Sequence, residues 1–219
     1  MKINILKILK IQAEESSKYK KGAFGYWWTV EKGNEDIEGK VYKGDIFCHN
    51  NNLTSLEGAP KEVDGHFDCS NNKLTSLKGC PKEVGGHFYC YKNNLTSLKG
   101  CPEKVGSYFD CSSNNLTSLE GAPERVGRSF DCYNNNLTSL KGCPEEIGWS
   151  FDCSNNQLTS LGGCPKEVNN NFDCSNNPLT SLKGCPEVVD GNFYCSNNER
   201  KFTREEVVSL CKVNGSIRV

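Results

Sequence analysis

Residues 67–77 read FDCSNNKLTSL, and this pattern returns along most of the chain. Leu-Thr-Ser-Leu occurs seven times at a spacing of 21 residues, from Leu53 to Leu179. An Asn lies two residues before each of these leucines, a Cys three residues before the Asn, and a large apolar residue two residues before the Cys. The alternation Phe-x-Cys is typical of a short strand with one buried face. A fixed period of this kind predicts a solenoid whose repeats pack on one another.

Each column of the repeat has a physical explanation. Phe and Cys are expected to be buried where parallel strands stack about 4.8 Å apart. The Asn side chain is expected to satisfy backbone groups that the turn leaves unpaired, which makes this column structural. A glycine column from Gly58 to Gly184 indicates positive φ or close approach of the backbone. The proline that follows cannot donate to a strand ladder, so we expect an extended or turn-like opposite side.

The frame Phe-x-Cys-x-x-Asn-x-Leu-x-x-Leu resembles the apolar frame of leucine-rich repeat proteins over roughly residues 42–198. The resemblance implies an α/β solenoid that is mostly β, a right-handed superhelix with a parallel concave sheet. It also implies helical caps at both ends. A period of 21 lies near the short end of the family's range of about 20 to 29 residues, which leaves no room for a convex helix.

The chain divides into four segments. Residues 1–21 alternate apolar residues with lysines, which predicts an amphipathic N-terminal capping helix rather than a signal peptide or a membrane span. Residues 22–45 have the composition of a degenerate repeat, and residues 46–198 hold about eight 21-residue repeats. Residues 199–219 are expected to form a C-terminal capping helix and a tail, with the capping box Thr203-Arg204-Glu205-Glu206 at the start of the helix.

Composition limits the classes of partner and cofactor. The formal net charge of −1 provides no basic field to attract nucleic acid or an anionic membrane. Thirteen of the 14 cysteines fall into two repeat columns and are interpreted as small buried apolar positions, since Ala59 and Ala122 replace cysteine in the second column. No Cys-x-x-Cys pair occurs to begin a zinc site. We therefore expect no cofactor, free thiols and a cytoplasmic location.

The outward strand positions are the candidate binding site, because leucine-rich repeat proteins typically bind partners on the concave sheet. Aspartates dominate the position between Phe and Cys and form an acidic stripe that either meets a basic partner or merely reflects duplication. Aromatic residues and one arginine depart from the repeat consensus, a composition typical of a protein-binding hot spot. The alternative is that these aromatics only stabilise the sheet through cross-strand pairs. The candidate residues are Asp68, Tyr89, Tyr91, Tyr108, Asp110, Arg128, Asp131, Tyr133, Trp149 and Asp152, with Asp173 continuing the stripe.

The repeat is similar to the short leucine-rich repeats of bacteriophage, giant-virus and bacterial effector proteins. Effectors of this kind that are ubiquitin ligases carry a helical catalytic domain, for which residues 199–219 are too few. The resemblance therefore implies a scaffold that is not an enzyme and that engages or inhibits a host factor in the host cytoplasm. We expect a protein partner, no nucleic acid and no membrane, and a monomer or small oligomer.

Two other functions stay open. His49, His66 and His87, with Asp68 nearby, form a corner that could hold a metal or share a proton, although imidazoles on neighbouring strands make a loose metal site. The chain could also be a structural or self-assembling component. Neither a Ser-His-Asp pattern nor a phosphate-binding loop occurs in the sequence.

Overall fold

The computed structural model describes residues 41–219, which form a solenoid of about eight turns built from parallel two-residue strands. One sheet has nine strands, and each turn adds a strand that begins at the repeat's large apolar residue. Its strands are β2 (Ile46–Phe47), β4 (Phe67–Asp68), β6 (Phe88–Tyr89), β8 (Phe109–Asp110), β10 (Phe130–Asp131), β12 (Phe151–Asp152), β14 (Phe172–Asp173), β16 (Phe193–Tyr194) and β18 (Ile217–Arg218). The predicted N-terminal capping helix and most of the predicted degenerate repeat lie outside the described residues.

The opposite side of the solenoid also carries short strands, where the sequence predicts only extended or turn-like chain. They form a six-stranded and a three-stranded sheet. The six are β1 (Val41–Tyr42), β3 (Glu62–Val63), β5 (Glu83–Val84), β7 (Lys104–Val105), β9 (Arg125–Val126) and β11 (Glu146–Ile147), and the three are β13 (Glu167–Val168), β15 (Val188–Val189) and β17 (Lys212–Val213). A short bend separates each of these strands from the next Phe strand. At Gly106 in this bend a side chain would collide with the carbonyl of Gly85.

The core is a stack of identical layers. Phe, Cys and Leu residues of successive repeats are fully or almost fully buried, and in each layer the strand pairing sets Phe directly against Phe, as at Phe109 and Phe130. Their rings are 5.2 Å apart and tilted by 38°. The first cysteine column is buried as predicted, whereas cysteines of the second column, such as Cys143, are only partly buried. All cysteines of the described region are free thiols, and burial raises their pKa, as at Cys132.

The Asn column has the structural role that the sequence predicts. Asn114 is buried, and its Oδ1 accepts a hydrogen bond from the Leu95 N–H at 3.0 Å. Its Nδ2 donates to the carbonyls of Cys90 and Cys111, both at 3.1 Å. One side chain therefore satisfies backbone groups of two consecutive repeats, which is why the column repeats without exception. The glycine column is also confirmed, since Gly79 and its equivalents have φ between 84° and 94°.

The C-terminal segment differs from the expected capping helix followed by a tail. Helix α1 (Arg204–Leu210) begins at the predicted capping box, in which the Glu206 N–H donates to Thr203. Only Val207 of this helix is buried. The residues after it form β17 and β18, which pair in parallel with β15 and β16 and so extend both sides of the stack. The reason is a longer last turn, since Phe193 pairs with Ile217 at a separation of 24 residues instead of 21, and the helix lies within this turn.

Charged side chains on the opposite side pair along the stack. Lys104 Nζ lies 2.8 Å from a carboxylate oxygen of Glu83, and Arg125 Nη2 lies 2.6 Å from one of Glu146. These pairs are exposed, so each contributes little to stability. No helix within residues 41–219 is both long enough and apolar enough to cross a membrane.

Candidate protein-binding face

Strand alternation directs three columns of side chains away from the core, and these columns make up the outward face. Phe and Cys point inward, so the residues one before Phe, one after Phe and one after Cys point outward. We call them the leading, acidic and trailing columns. The leading column is Asp45, His66, His87, Tyr108, Ser129, Ser150, Asn171 and Asn192; the acidic column is Phe47, Asp68, Tyr89, Asp110, Asp131, Asp152, Asp173 and Tyr194; the trailing column is His49, Ser70, Tyr91, Ser112, Tyr133, Ser154, Ser175 and Ser196.

Four aspartates of the acidic column stand in direct register. Asp110 pairs with Asp131, Asp131 with Asp152, and Asp152 with Asp173. Neighbouring strands are about 4.8 Å apart. The two inner carboxylates therefore have a like-charged neighbour on each side, and the two outer carboxylates have one such neighbour. Burial raises the pKa of Asp110 and of Asp152, and the charge of Asp68 adds to the shift at Asp110, whereas Asp173 and Asp110 add to it at Asp152. For Asp131, burial and the charges of Asp110 and Asp152 raise the pKa to about 7.

Serines of the trailing column explain why Asp131 differs from its neighbours. The N–H of Ser112 donates to Asp110 at 2.9 Å, that of Ser154 to Asp152 at 2.9 Å, and that of Ser175 to Asp173 at 2.8 Å. A hydrogen bond to the charged form lowers a carboxyl pKa. The hydroxyls of Ser112 and Ser154 also hydrogen-bond Asp110 and Asp152. Tyr133 takes the serine position after Asp131 and brings no such hydroxyl, and among the described residues no hydrogen bond to the Asp131 carboxylate is formed. Asp131 is therefore the aspartate of the stripe that is least stabilised as an anion.

Asp68 is an exception to the predicted solvent-facing stripe. It is buried, with 8% of its surface exposed. Its Oδ1 accepts from the N–H of Ser70 at 2.9 Å and from the hydroxyl of Ser70 at 2.6 Å, and His49 Nδ1 lies 3.1 Å from its Oδ2. These internal partners occupy the carboxylate, so Asp68 offers less to a partner than the aspartates further along the stripe.

The aromatic departures from the consensus form one continuous cluster with two histidines. His66 and His87 stack with ring centroids 4.1 Å apart and an interplanar angle of 3°. His87 also contacts Tyr108 at 4.8 Å and Tyr89 at 5.4 Å, and Tyr89 contacts Tyr91 at 6.1 Å. Burial and the neighbouring aspartates raise the pKa of Tyr89 to about 12. The sequence pattern identifies the tyrosines but not the participation of His66 and His87.

The histidines are held by backbone hydrogen bonds of the leading column. The His87 N–H donates to His66 Nδ1 at 2.8 Å, and the Tyr108 N–H donates to His87 Nδ1 at 3.3 Å. Both Nδ1 atoms therefore act as acceptors, which requires them to be unprotonated. Burial, together with His66 and Arg128, lowers the pKa of His87. These imidazoles stabilise the stack as neutral rings.

The predicted histidine corner is divided between two places. His49 lies in the trailing column beside Asp68, whereas His66 and His87 stack in the leading column with their Nδ1 atoms already occupied. Across residues 41–219, no group of three or more His, Cys, Asp or Glu side chains is placed to hold a metal ion. The three histidines therefore do not meet at one point of the described structure.

Arg128 and Trp149 belong to the bend rather than to the outward columns. They occupy the same position in consecutive repeats, two residues before Phe, and the Trp149 N–H donates to the Arg128 carbonyl at 3.1 Å. Both side chains are exposed, and 48% of the Trp149 surface is accessible. In the described part of the chain Arg128 has no ion-pair partner. The two side chains border the outward face at its bend edge.

Tyr91 and Tyr133 flank Ser112 in the trailing column. The three residues occupy consecutive repeats, and both tyrosines are half-buried. Ser112 lies between them with 1% of its surface exposed, and its hydroxyl hydrogen-bonds the Asp110 carboxylate. Two half-buried tyrosines thus flank a buried serine beside the acidic column.

The opposite side of the solenoid carries open grooves, but these offer fewer groups that could bind a partner than the outward face does. One open groove of about 750 Å³ is lined by Cys143, Pro144, Cys164 and Pro165, among others. Its Arg125 is paired with Glu146, and the thiol of Cys143 is kept protonated because burial raises its pKa. The groove lies along the repeated proline turns.

Comparison with known proteins identifies the fold. The solved structure of YopM from Yersinia enterocolitica WA-314, a bacterial effector with leucine-rich repeats, is similar to this chain with a TM-score of 0.50 and 21% sequence identity. The similarity covers 70% of this chain and 38% of YopM, so the chain corresponds to about two fifths of that protein's length. No family profile and no curated protein sequence matches the chain. The similarity shows that the chain has the fold of a leucine-rich repeat solenoid, with repeats of 21 residues, as its Phe-x-Cys-x-x-Asn-x-Leu frame predicts.

Proposed function

We propose that this protein is a non-catalytic scaffold that binds a partner protein on the outward face of its nine-stranded sheet. The observation that carries the proposal is the coincidence of two features on one face. Residues that depart from the repeat consensus lie there, and they adjoin a column of aspartates whose charges find few partners within the chain. Large aromatics beside desolvated charged groups are the usual composition of an interface hot spot.

Duplication of a repeat does not explain the residues that depart from the repeat consensus. Ser is the common residue of the trailing column, and Tyr at positions 91 and 133 is a change away from it. At Tyr133 the change removes the serine hydroxyl that hydrogen-bonds the equivalent aspartates Asp110 and Asp152, so it works against the stability of the isolated chain. A residue that costs stability and exposes aromatic surface is more easily explained by a partner than by sheet packing.

The cellular location, the kind of partner and the oligomeric state are part of the same proposal. Fourteen free thiols in the described region favour a reducing cytoplasm over a secreted environment. The effector-like repeat favours a host protein as the partner if the source is a bacterium or a virus, and a monomer or small oligomer as the working form. Sedimentation of the purified protein tests the last point.

A capture experiment tests the proposal. Wild-type bait and a Tyr91→Ala/Tyr133→Ala/Trp149→Ala variant are compared in lysate of the source organism or its host, with retained proteins quantified by mass spectrometry. A Lys104→Ala/Glu146→Ala/Glu167→Ala variant is the matched control, because these side chains lie on the opposite sheets. A partner lost by the first variant and kept by the control supports the proposal. Equal retention by all three folded baits contradicts it.

A further inference from the structure

The leading column forms a ladder of side-chain hydrogen bonds along the outward face. In this ladder a side chain of one repeat accepts the backbone N–H of the leading residue one repeat later. The acceptors are Asp45 for His66 at 2.7 Å, His66 for His87 at 2.8 Å, His87 for Tyr108 at 3.3 Å, Ser129 for Ser150 and Ser150 for Asn171 at 3.4 Å each, Asn171 for Asn192 at 2.9 Å, and Asn192 for Ser216 at 2.8 Å. Among the described residues no such bond joins Tyr108 to Ser129, so the ladder consists of two runs.

The two runs differ in the chemistry of their acceptors. The second run, from Ser129 onward, uses hydroxyl and amide oxygens, which do not titrate in the range where histidine does. The first run uses the Asp45 carboxylate and the imidazoles of His66 and His87, which we call the histidine pair. A neutral imidazole that accepts through Nδ1 carries its proton on Nε2, so a further proton must bind Nδ1 itself. Protonation therefore replaces the acceptor by a second donor that faces the backbone N–H.

The stacking of the histidine pair makes two protons less favourable than one. The rings of His66 and His87 lie parallel, with centroids 4.1 Å apart, so two imidazolium charges would face each other. Both side chains are partly exposed, which gives solvent protons access to the pair. Burial, with the charges of His66 and Arg128, lowers the pKa of His87. The pair is thus held in its neutral form by the same contacts that a proton would break.

Four charged or titratable side chains from neighbouring elements face the histidine pair: Asp45, Arg128, Tyr89 and Tyr108. The charge of Arg128 opposes a proton on His87, and the charge of Asp45 favours one. Asp64, in the bend before His66, has its carboxylate on the Gly44 N–H instead. The two tyrosines contact His87 through their rings, so the position of the aromatic cluster depends on this imidazole.

We propose that the histidine pair is a pH-sensitive switch in the outward face. A solvent proton that binds Nδ1 of His66 releases the N–H of His87, and one that binds Nδ1 of His87 releases the N–H of Tyr108. The aromatic cluster around His87 loosens in acid as a result, whereas the run from Ser129 onward keeps its hydrogen bonds. The switch is a property of the chain alone and does not depend on the proposed partner.

The first test uses the ¹⁵N-labelled full chain. A scalar coupling across the N–H···N hydrogen bond, between the His87 amide nitrogen and His66 Nδ1, reports this bond directly. We expect the coupling at about pH 7.5 and its loss at about pH 4.5, on either side of the usual histidine titration. Over the same range the hydrogen-exchange protection of the His87 amide, corrected for intrinsic exchange, should fall about tenfold or more. The amides of Asn192 and Ser216, whose acceptors are side-chain amide oxygens, should change less than about twofold.

Variants that keep the acceptor but cannot titrate locate the switch. Asparagine is the matched substitution, because Asn171 occupies the same column and accepts the next N–H through Oδ1. In His66→Asn the His87 amide should keep its protection at about pH 4.5 within about twofold, while the Tyr108 amide still loses its own. His87→Asn should give the converse result. His49→Asn removes an imidazole outside the ladder and should leave both responses unchanged. Circular dichroism verifies that each variant is folded.

Three results would overturn the switch. These are no coupling to His66 Nδ1 at about pH 7.5, a coupling that persists at about pH 4.5, or equal loss of protection at the His87 amide in His66→Asn and in the wild type. The coupling is measured on the wild type, so it decides the question even where a variant does not fold. Since no partner takes part in these measurements, the capture experiment succeeds or fails separately.

Discussion

Tyr133 follows Asp131 by two residues at the position where Ser112 follows Asp110 and Ser154 follows Asp152, and the Asp131 carboxylate consequently lacks the serine hydroxyl hydrogen bond that its neighbours receive. Its pKa is raised to about 7, with burial as the main cause and Asp110 and Asp152 adding to it. One substitution away from the repeat consensus thus creates both an outward aromatic side chain and a carboxyl that titrates near neutrality.

Tyr133→Ser should restore the missing hydrogen bond. We expect the pKa of Asp131 to fall by about one unit or more, because a donor to the charged form stabilises the anion. Carboxyl ¹³C shifts followed as a function of pH measure this directly, with Asp173, two strands away, as the internal reference. An unchanged Asp131 pKa would mean that burial alone controls its titration.

Asp131 should make the fold less stable as the pH rises. Its folded pKa of about 7 exceeds the usual value of 3.8, so between these two the folded state holds a proton that the unfolded chain has released. Stability from this group is therefore present at acidic pH and lost as pH rises through about 7. Asp131→Asn should raise the free energy of unfolding at pH 8 by about 1–3 kcal/mol and have little effect at pH 4. Urea unfolding of the wild type and the variant at pH 4 and at pH 8 tests this prediction. An equal change in the free energy of unfolding at the two pH values would contradict the raised pKa of Asp131.

Lys92 occupies a left-handed backbone position that asparagine fills in most repeats. Its φ is 50°, and Asn71 and Asn134 have φ of 54° and 55° at the equivalent positions. Because asparagine tolerates this conformation better than lysine, Lys92→Asn should stabilise the protein by about 0.5–1 kcal/mol. The reverse change, Asn71→Lys, should destabilise it by a similar amount. Thermal unfolding of both variants measures the direction of each change in stability. The prediction fails if the melting temperatures of both variants shift in the same direction.

Asn114 should be among the most sensitive polar residues. Asn114→Ala leaves the Leu95 N–H and two cysteine carbonyls without their partner in a buried layer, which should cost about 2–4 kcal/mol. Exposed Asn115 is the neighbouring control, for which alanine should cost less than about 0.5 kcal/mol. Chemical denaturation measures both, and similar losses at the two positions would remove the Asn ladder from this account.

The repeated columns could be predicted from the sequence because each depends on one local rule. Phe and Cys alternate with the strand period, the Asn side chain follows from unpaired turn groups, and Gly79 and its equivalents follow from the backbone angle. Every layer has the same arrangement of side chains. A period of 21 residues therefore determines which residues of neighbouring strands pair as well as which side chains are buried. The departures at Tyr91 and Tyr133 are visible for the same reason.

Features that depend on a break in the period could not be predicted in the same way. The last turn is three residues longer, so Ile217 and Val213 fall out of the 21-residue register and were expected to lie in a tail. His66 and His87 share one column of the frame, but the occupation of their Nδ1 atoms by the N–H groups of the next repeats depends on side-chain orientation, which no spacing rule encodes.

The most direct test of the central claim places a photo-crosslinking phenylalanine analogue at position 133 of the outward face and, in a second protein, at position 124 on the opposite side. Both proteins are irradiated in the same lysate, and crosslinked partners are identified by mass spectrometry. The account predicts a partner joined from position 133 and not from position 124, and loss of that product when Asp131 is also changed to Asn. Crosslinking to the same proteins from both positions, or to a partner from position 124 alone, would contradict it.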